Sequence, residues 1–391
     1  MARVMPASVV LSDRRARLMA TPLRHLDVVL IGATLALAGL GLVMVYSATQ
    51  ARTEQEGLSS LYYVGRQAVW VVLGLIVMTV VMAIDYRKLR DLAPFGYLGM
   101  VFLLGVVLIP GIGTAAKGSQ ARFQLGAFQL QPSEFAKFFL ILMLAAFCAA
   151  HREHFGLRRV VTAVVIAGLP LALVLLQPDL GTALVLGAIA FAILTVAGTK
   201  GRYLAILALL VATGAVGAVR LGVLEQYQVD RLTVFIDQGD SGSGRDSQGS
   251  AYNLDQSKTA IANGGLTGTG LRQGTQTNLG FVPEQHTDFI FTAVGEELGF
   301  VGGATLLALF ALVVWRTWRT ARLANDFFAT LACMGVIGMF AFQVFENVGM
   351  TMGIMPITGI PLPFMSYGGS STIVSFACVG LVANIHMRRF S

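Results

Sequence analysis

The chain repeats one feature along almost its whole length: runs of about twenty apolar residues, the length a helix needs to cross the hydrocarbon of a bilayer. VVLIGATLALAGLGLVMVYSA near the start and LGFVGGATLLALFALVVW further on are examples. Hydrophobic residues make up 55% of the 391 positions and charged residues only 13%. A soluble chain of this size needs more charge to cover its surface, so a soluble protein with buried helices is excluded. The expected fold is an all-α polytopic membrane protein with ten transmembrane helices. They fall at about 27–48, 64–84, 93–112, 134–150, 159–177, 180–198, 203–220, 287–315, 326–348 and 367–387. Tails at 1–26 and 388–391 flank a single membrane domain, 27–387.

Residues 1–25 are polar and basic, and no cleavable signal peptide is expected ahead of the first span. Basic residues set the orientation. Arg14, Arg15, Arg17 and Arg24, then Arg87, Lys88 and Arg90, then Arg152, Arg158 and Arg159 fall on one side. Lys200 and Arg202, then Arg316, Arg319 and Arg322, and finally Arg388 and Arg389 continue the pattern. The positive-inside rule places that side, and both termini, in the cytoplasm of a cell bounded by its inner membrane. The net charge of +7 follows from topology and anionic lipid and gives no reason to expect nucleic acid. Cys148, Cys333 and Cys378 lie inside spans, read as small packing residues, and suggest neither a disulfide framework nor zinc.

One connection is long. Residues 221–286 form an extracytoplasmic loop between helices 7 and 8. VDRLTVFID (229–237) reads as a short interfacial helix, QGDSGSGRDSQGS (238–250) as a linker, and SKTAIANGGLTGTGLRQGTQTNLGF (257–281) as a glycine-rich return. Its GxG spacing has no preceding strand, so a dinucleotide fingerprint is rejected. Two readings of the glycines stand: backbone N–H groups approaching a phosphate, or a tight loop folded back on the membrane.

The unusual polar residues gather at the outer ends of the spans. Lys117 and Arg122 precede span four, and Glu134 and Lys137 share one face of its outer end, where they can pair. Asp179 either caps span six or lines a site. Asp288 stands at the mouth of span eight, near the positive end of its dipole, as a cap or as a functional carboxylate. It shares a helical face with Thr292, Gly295 and Gly299, a small polar stripe suited to a cavity. Glu296 and Glu297 lie deeper and read as packing partners, and His286 as a loop hydrogen-bonding group. Gln343 and Asn347 are an i,i+4 pair at the outer end of span nine, beside Glu346. TGIPLPFMSYGGSS (358–371), which includes Ser366, cannot be regular helix. Ionisable groups near hydrocarbon mark water-accessible sites, so a polar cavity open to the outside is expected.

QPSEFAK (131–137), QPDLGT (177–182), GTQTNLGFVPEQHTDFIFTAVGEELGF (274–300) and NVGMTMGIMPITGIPLPFMSYGGSS (347–371) occur in this order. Together they resemble the SEDS family of cell-wall proteins, RodA and FtsW, over about 27–387. PEQHTDFIF and the short tails are more like RodA. Phe123 in QARFQLG departs from the Trp usual there. The resemblance implies a peptidoglycan glycosyltransferase that polymerises lipid II on the outer face of the cytoplasmic membrane, for cell elongation and shape. It implies a class B penicillin-binding protein as partner. The family's essential Asp falls on Asp288, its paired acid and base on Glu134 and Lys137, and the Asp of QPDLGT on Asp179.

The implied chemistry suits these residue types. A sugar hydroxyl is a poor nucleophile and calls for a carboxylate base, here Asp288. The departing pyrophosphate calls for cations, with Lys117, Arg122, Lys137, Lys258 and Arg272 as candidates. A divalent cation is a further candidate, although no ligand cluster demands one. A lipid II flippase is the rival function, as is a division-specific polymerase. A carrier should alternate about a midplane site and often shows internal repeats, whereas no repeat is evident here and the polar groups favour one face.

Overall fold

A computed structural model describes residues 25–109, 114–116, 119–125, 128–152, 156–220, 231, 235, 249–282 and 284–389. Its helices are α1 Val28–Gln55, α2 Tyr62–Ala83, α3 Tyr86–Val107, α4 Pro132–Ala150, α5 Leu157–Leu175, α6 Leu180–Val196 and α7 Gly201–Arg220. After the long loop come α8 Ser250–Gly264, α9 Thr275–Asn278, α10 Ile290–Leu323, α11 Phe327–Met352 and α12 Gly369–Met387. Eight of the described helices are long and apolar enough to cross a membrane. Leu180–Val196 and Gly201–Leu210 are shorter apolar helices, at the places expected for spans six and seven. This is a multi-pass membrane protein. Lys117 and the linker 238–248 lie outside the described residues, as do the two tails up to Arg24 and from Phe390; of the expected interfacial helix only Arg231 and Phe235 are described.

Helix α12 forms the centre of the bundle, buried along nearly its whole length and packed chiefly against α2. Glycines permit this approach. A Cβ on Gly380 would stand 2.8 Å from the Met78 carbonyl oxygen, and one on Gly74 would meet the Phe376 ring at 2.4 Å. At the far end the Asn384 amide donates to the carbonyls of Val81 and Ile84, which end α2 without helical partners.

Three expectations are revised. First, 250–264 is helix rather than linker and turning chain. Ala251, Leu254, Ser257 and Ala260 form a narrow buried stripe against α10 and α11, too weakly apolar to stand out among membrane spans. Secondly, the stretch before α4 carries a three-stranded antiparallel sheet, β1 Thr114–Ala116, β2 Ser119–Leu125 and β3 Phe128–Leu130, in the order β1-β2-β3. Two of its strands are only three residues long, too short to show a period. Thirdly, span eight starts at Ile290 rather than Thr287, runs on to Leu323 and is broken at Gly299, whose φ is 63° and ψ −161°.

The break at Gly299 explains the glycine-rich return. Thr269 and Gly270 donate their N–H groups to the carbonyls of Glu296 and Glu297 at 2.9 and 3.1 Å, and Phe300 and Val301 donate to Gly265 and Leu266 at 2.9 and 3.1 Å. Non-helical backbone at membrane depth survives only when protein answers its polar groups, and this loop answers them. Those two loop N–H groups are therefore spent on protein, and the phosphate-cradle reading gives way to the folded-back loop. A Cβ on Gly264 would lie 1.9 Å from the Gly295 oxygen, so the two backbones are in direct contact.

Gly268 tests this arrangement, because its φ is +83° and a Cβ would fall 2.1 Å from the Glu297 oxygen. Gly268→Ala should destabilise the detergent-solubilised protein by about 2 kcal/mol or more in thermal or denaturant unfolding. Gly187→Ala, where a Cβ meets open space inside α6, should be neutral or slightly stabilising. Equal stability of both variants would refute the close contact.

Candidate active site

Asp288 lies in the turn 284–289 that feeds α10. The N-cap of α10 is Phe289 and no side chain caps it, so the capping role open to Asp288 in the sequence is not the one it takes. Asn347 holds the turn from below: its amide nitrogen donates to the Asp288 carbonyl and to the Ile360 carbonyl, each at 2.7 Å. The carboxylate faces Gly359. A Cβ there would come within 3.1 Å of Asp288 Oδ2 and 3.8 Å of Arg231 Nη1, at a φ of +75°. Glycine thus lets the 358–364 strand of chain approach both groups.

Glu346 shares this neighbourhood. Its Oε1 accepts a hydrogen bond from the Thr358 hydroxyl, and Asp288 and Arg231 are its charged neighbours. Arg231 is the cation that sequence reasoning missed; a single arginine in a loop carries no periodic or motif signal. Gln343 is buried on the same face of α11, one turn below Asn347.

The stripe below Asp288 does not line a cavity. Thr292 Oγ1 is 2.7 Å from Ser257 Oγ, a Cβ on Gly295 would meet Ile261 at 2.9 Å, and Gly299 abuts Gly268. Small residues here admit α8 and the glycine loop to van der Waals contact. Glu296 accepts from the N–H groups of Gln276 and Thr277 at 2.7 and 2.9 Å, and Glu297 from Ser47 Oγ at 2.6 Å and the Arg272 N–H at 3.2 Å. Both glutamates hold the loop, as packing partners should.

Glu134 and Lys137 form an ion pair at 2.7 Å, with both side chains almost wholly buried. Asp179 takes the capping role: Oδ1 accepts from the Thr182 N–H at 2.9 Å at the start of α6, while Oδ2 accepts from Gln131 Nε2 at 3.2 Å at the head of α4. The irregular segment joins these helices. Gly181 packs on Thr358, where a Cβ would lie 2.9 Å from its carbonyl oxygen, and Gln131 N–H donates to Ser370 Oγ at 3.0 Å. Ser366 Oγ accepts from the Leu362 N–H at 2.8 Å and so shapes the segment itself.

The remaining candidates disperse. Arg122 is exposed on β2 and donates to Gln129 at 3.1 Å across the hairpin. Arg272 donates to Gln50 at 2.6 Å and lies over the Tyr46 ring, which fastens it to α1. Lys258 is half-buried on α8. His286 is buried between the rings of Tyr63 and Tyr367, at centroid distances of 5.5 and 5.6 Å, and its carbonyl accepts from the Tyr367 N–H at 2.8 Å. Beside this box, hydrogen bonds from Arg52 and Tyr63 hold the Glu56 carboxyl below the usual range. No group of three or more His, Cys, Asp or Glu placed to hold a metal ion occurs among the described residues.

The buried pair makes a measurable demand. Glu134→Gln and Lys137→Met should each destabilise the protein by about 3 kcal/mol, since either leaves a lone buried charge. The double variant should lose less than the sum of the two, with a coupling of about 1 kcal/mol or more in unfolding experiments. Strict additivity would mean that the two charges do not interact.

Comparison with known proteins adds to this geometry. A family model described as "Cell cycle protein", covering FtsW, RodA and SpoVE, matches residues 28–390. The stage V sporulation protein E of Bacillus subtilis is 36% identical over 361 residues, 92% of this chain and 96% of that protein. A probable peptidoglycan glycosyltransferase FtsW of Geobacter metallireducens is 37% identical over 364 residues, 93% of this chain and 95% of that one. Among solved structures, a chain from a peptidoglycan synthase complex that coordinates polymerization and crosslinking superposes with a TM-score of 0.76 at 31% identity, covering 94% of this chain and 99% of that one. The rod shape determining protein RodA of Thermus thermophilus superposes at 0.68 and 30% identity, covering 94% and 98%. The named sequence relatives are FtsW and SpoVE, whereas the named solved structure is RodA. The chain belongs to the FtsW/RodA/SpoVE family of cell cycle proteins.

Proposed function

We propose that this protein is a peptidoglycan glycosyltransferase that polymerises lipid II at the outer surface of the cytoplasmic membrane, with Asp288 as general base. The observation that carries the reading is the setting of Asp288: a carboxylate at the mouth of α10, not used as the helix cap, in a turn pinned by Asn347 and opened by Gly359. In the step proposed, the 4-hydroxyl of one lipid II attacks the anomeric carbon of the growing strand. Its proton passes to an Asp288 oxygen as the new C–O bond forms, and the bond to undecaprenyl pyrophosphate breaks with inversion. Arg231 beside Asp288 suits the developing negative charge on the leaving group. A class B penicillin-binding protein as partner is supported by the solved relative that belongs to a complex coordinating polymerization and crosslinking.

The finer role is elongation on the strength of the PEQHTDFIF motif, and division on the strength of the relatives named FtsW. Depletion in the native cell separates them: loss of an elongation enzyme rounds the cells, and loss of a division enzyme leaves filaments.

Asp288→Asn keeps the shape of the side chain but removes the proton acceptor. Purified with its partner and given lipid II, the variant should make glycan strands roughly a hundred to ten thousand times more slowly than the parent while binding lipid II normally. Near-parental synthesis would sink the base assignment, and no strands from the parent would favour the flippase.

Orientation has its own test. The native cysteines are buried, and Leu271 and Lys88 are exposed at opposite ends of the bundle. In intact cells, Leu271→Cys should react with an impermeant thiol reagent added outside and Lys88→Cys should not. The reverse pattern would turn the site to the cytoplasm.

A further inference from the structure

At the end of α10 remote from Asp288 the chain passes from the apolar run that ends at Val314 into WRTWRTARL (315–323). A crevice of about 330 Å³ opens there, lined by Trp315, Trp318, Arg319, Arg322 and Leu323. The indoles are half-exposed, and the Arg322 guanidinium lies over the Trp318 ring, 4.9 Å from its centroid. Face-on stacking leaves the guanidinium edge, with its N–H donors, pointing elsewhere.

Positive charge is in excess at this place. Arg316 is used structurally: it is nearly buried and paired with Asp27 at 2.8 Å. Arg319 and Arg322 are exposed, and among the described residues neither forms an ion pair with a carboxylate. Arg389 is a further neighbour, its guanidinium held below the usual arginine value by burial and by Arg319. Exposed like charges this close gain from an anion. The tryptophans place them at the level where hydrocarbon meets headgroups, since indole favours that boundary. The end of the α10 dipole offsets part of the charge, but its half-charge is smaller than that of the two exposed arginines.

We propose that this crevice binds the headgroup phosphate of an anionic phospholipid from the adjoining leaflet, with Arg319 and Arg322 on the phosphate and Trp315 and Trp318 against the glycerol and upper acyl chain. The phosphate takes charge-assisted hydrogen bonds from the guanidinium edges. The site lies at the opposite end of the bundle from Asp288 and does not depend on the reaction assigned there.

The chain has three tryptophans, and Trp70, the one outside the crevice, packs against Gly369. Trp70→Phe therefore leaves only the crevice to report. The full-length Trp70→Phe protein is placed in phosphatidylcholine nanodiscs containing a small fraction of lipid brominated on its chains, either phosphatidylglycerol or phosphatidylcholine. Brominated phosphatidylglycerol should quench the emission well beyond brominated phosphatidylcholine. Adding Arg319→Gln and Arg322→Gln should weaken that preference by about 30-fold, the value of two arginines at an anionic surface. The single substitutions should each give an intermediate loss, which keeps the test decisive if the double variant does not fold. Equal quenching by the two lipids, or a preference untouched by the substitutions, would overturn the site. Loss of the preference to inorganic phosphate at constant ionic strength would assign the crevice to a free anion and overturn the lipid.

Discussion

Peptide groups that leave the helix inside a membrane bundle have no water to turn to, and the architecture of this protein is organised around that constraint. The segment 353–368 runs without regular helix through the half of the bundle that holds Asp288. The Asn347 amide answers two carbonyls at once, from Asp288 and Ile360. Gln67 donates to the Ser366 carbonyl at 3.2 Å and accepts from the Gly368 N–H at 3.2 Å, so α2 holds the far end. Because these donors sit on different helices, satisfying the segment's backbone also fixes α2, α10 and α11 relative to one another.

The same rule operates at Gly299. Breaking α10 frees carbonyls and N–H groups, and the loop from Gly265 to Gly270 pairs with them as a short strand would. Glu296 and Glu297 then reach out of the helix to hold α9 and the Arg272 turn. The chain between α7 and α10 is thus fastened to α10 a little below Asp288.

Charges in the half of the bundle that holds Asp288 are used in two ways. Glu134 and Lys137 neutralise each other in a setting that neither could occupy alone, and Asp179 spends its oxygens on a cap and on Gln131. These groups brace the heads of α4 and α6, against which the irregular segment packs at Gly181 and the first turn of α12 at Ser370. The Asp288 turn is braced through its backbone carbonyl, and the carboxylate stands beside Gly359, with Arg231 and Glu346 as charged neighbours. The bracing supports the reading of Asp288 as the reacting group and of the others as its framework.

Much of this was legible from residue order alone. Twenty-residue apolar runs dictate membrane helices because hydrocarbon admits little else, and the i,i+3 spacing of Glu134 and Lys137 forces them onto one face. Pro361 and Pro363 with Gly359 and Gly368 disfavour helix before α12, so the irregular segment was also foreseeable. Helix α8 was not, because a stripe of Ala, Leu and Ser is no more apolar than a loop. Nor was the break at Gly299: glycine permits that conformation without requiring it, and only the loop packed against it makes the broken form lower in energy. The stripe of Thr292, Gly295 and Gly299 is the same on paper whether it faces water or a neighbouring backbone. Arg231 came to Asp288, and Arg272 to α1, through contacts between segments far apart in the chain. Local spacing determines which side chains share a helix face; what that face meets is decided by the packing of the whole bundle.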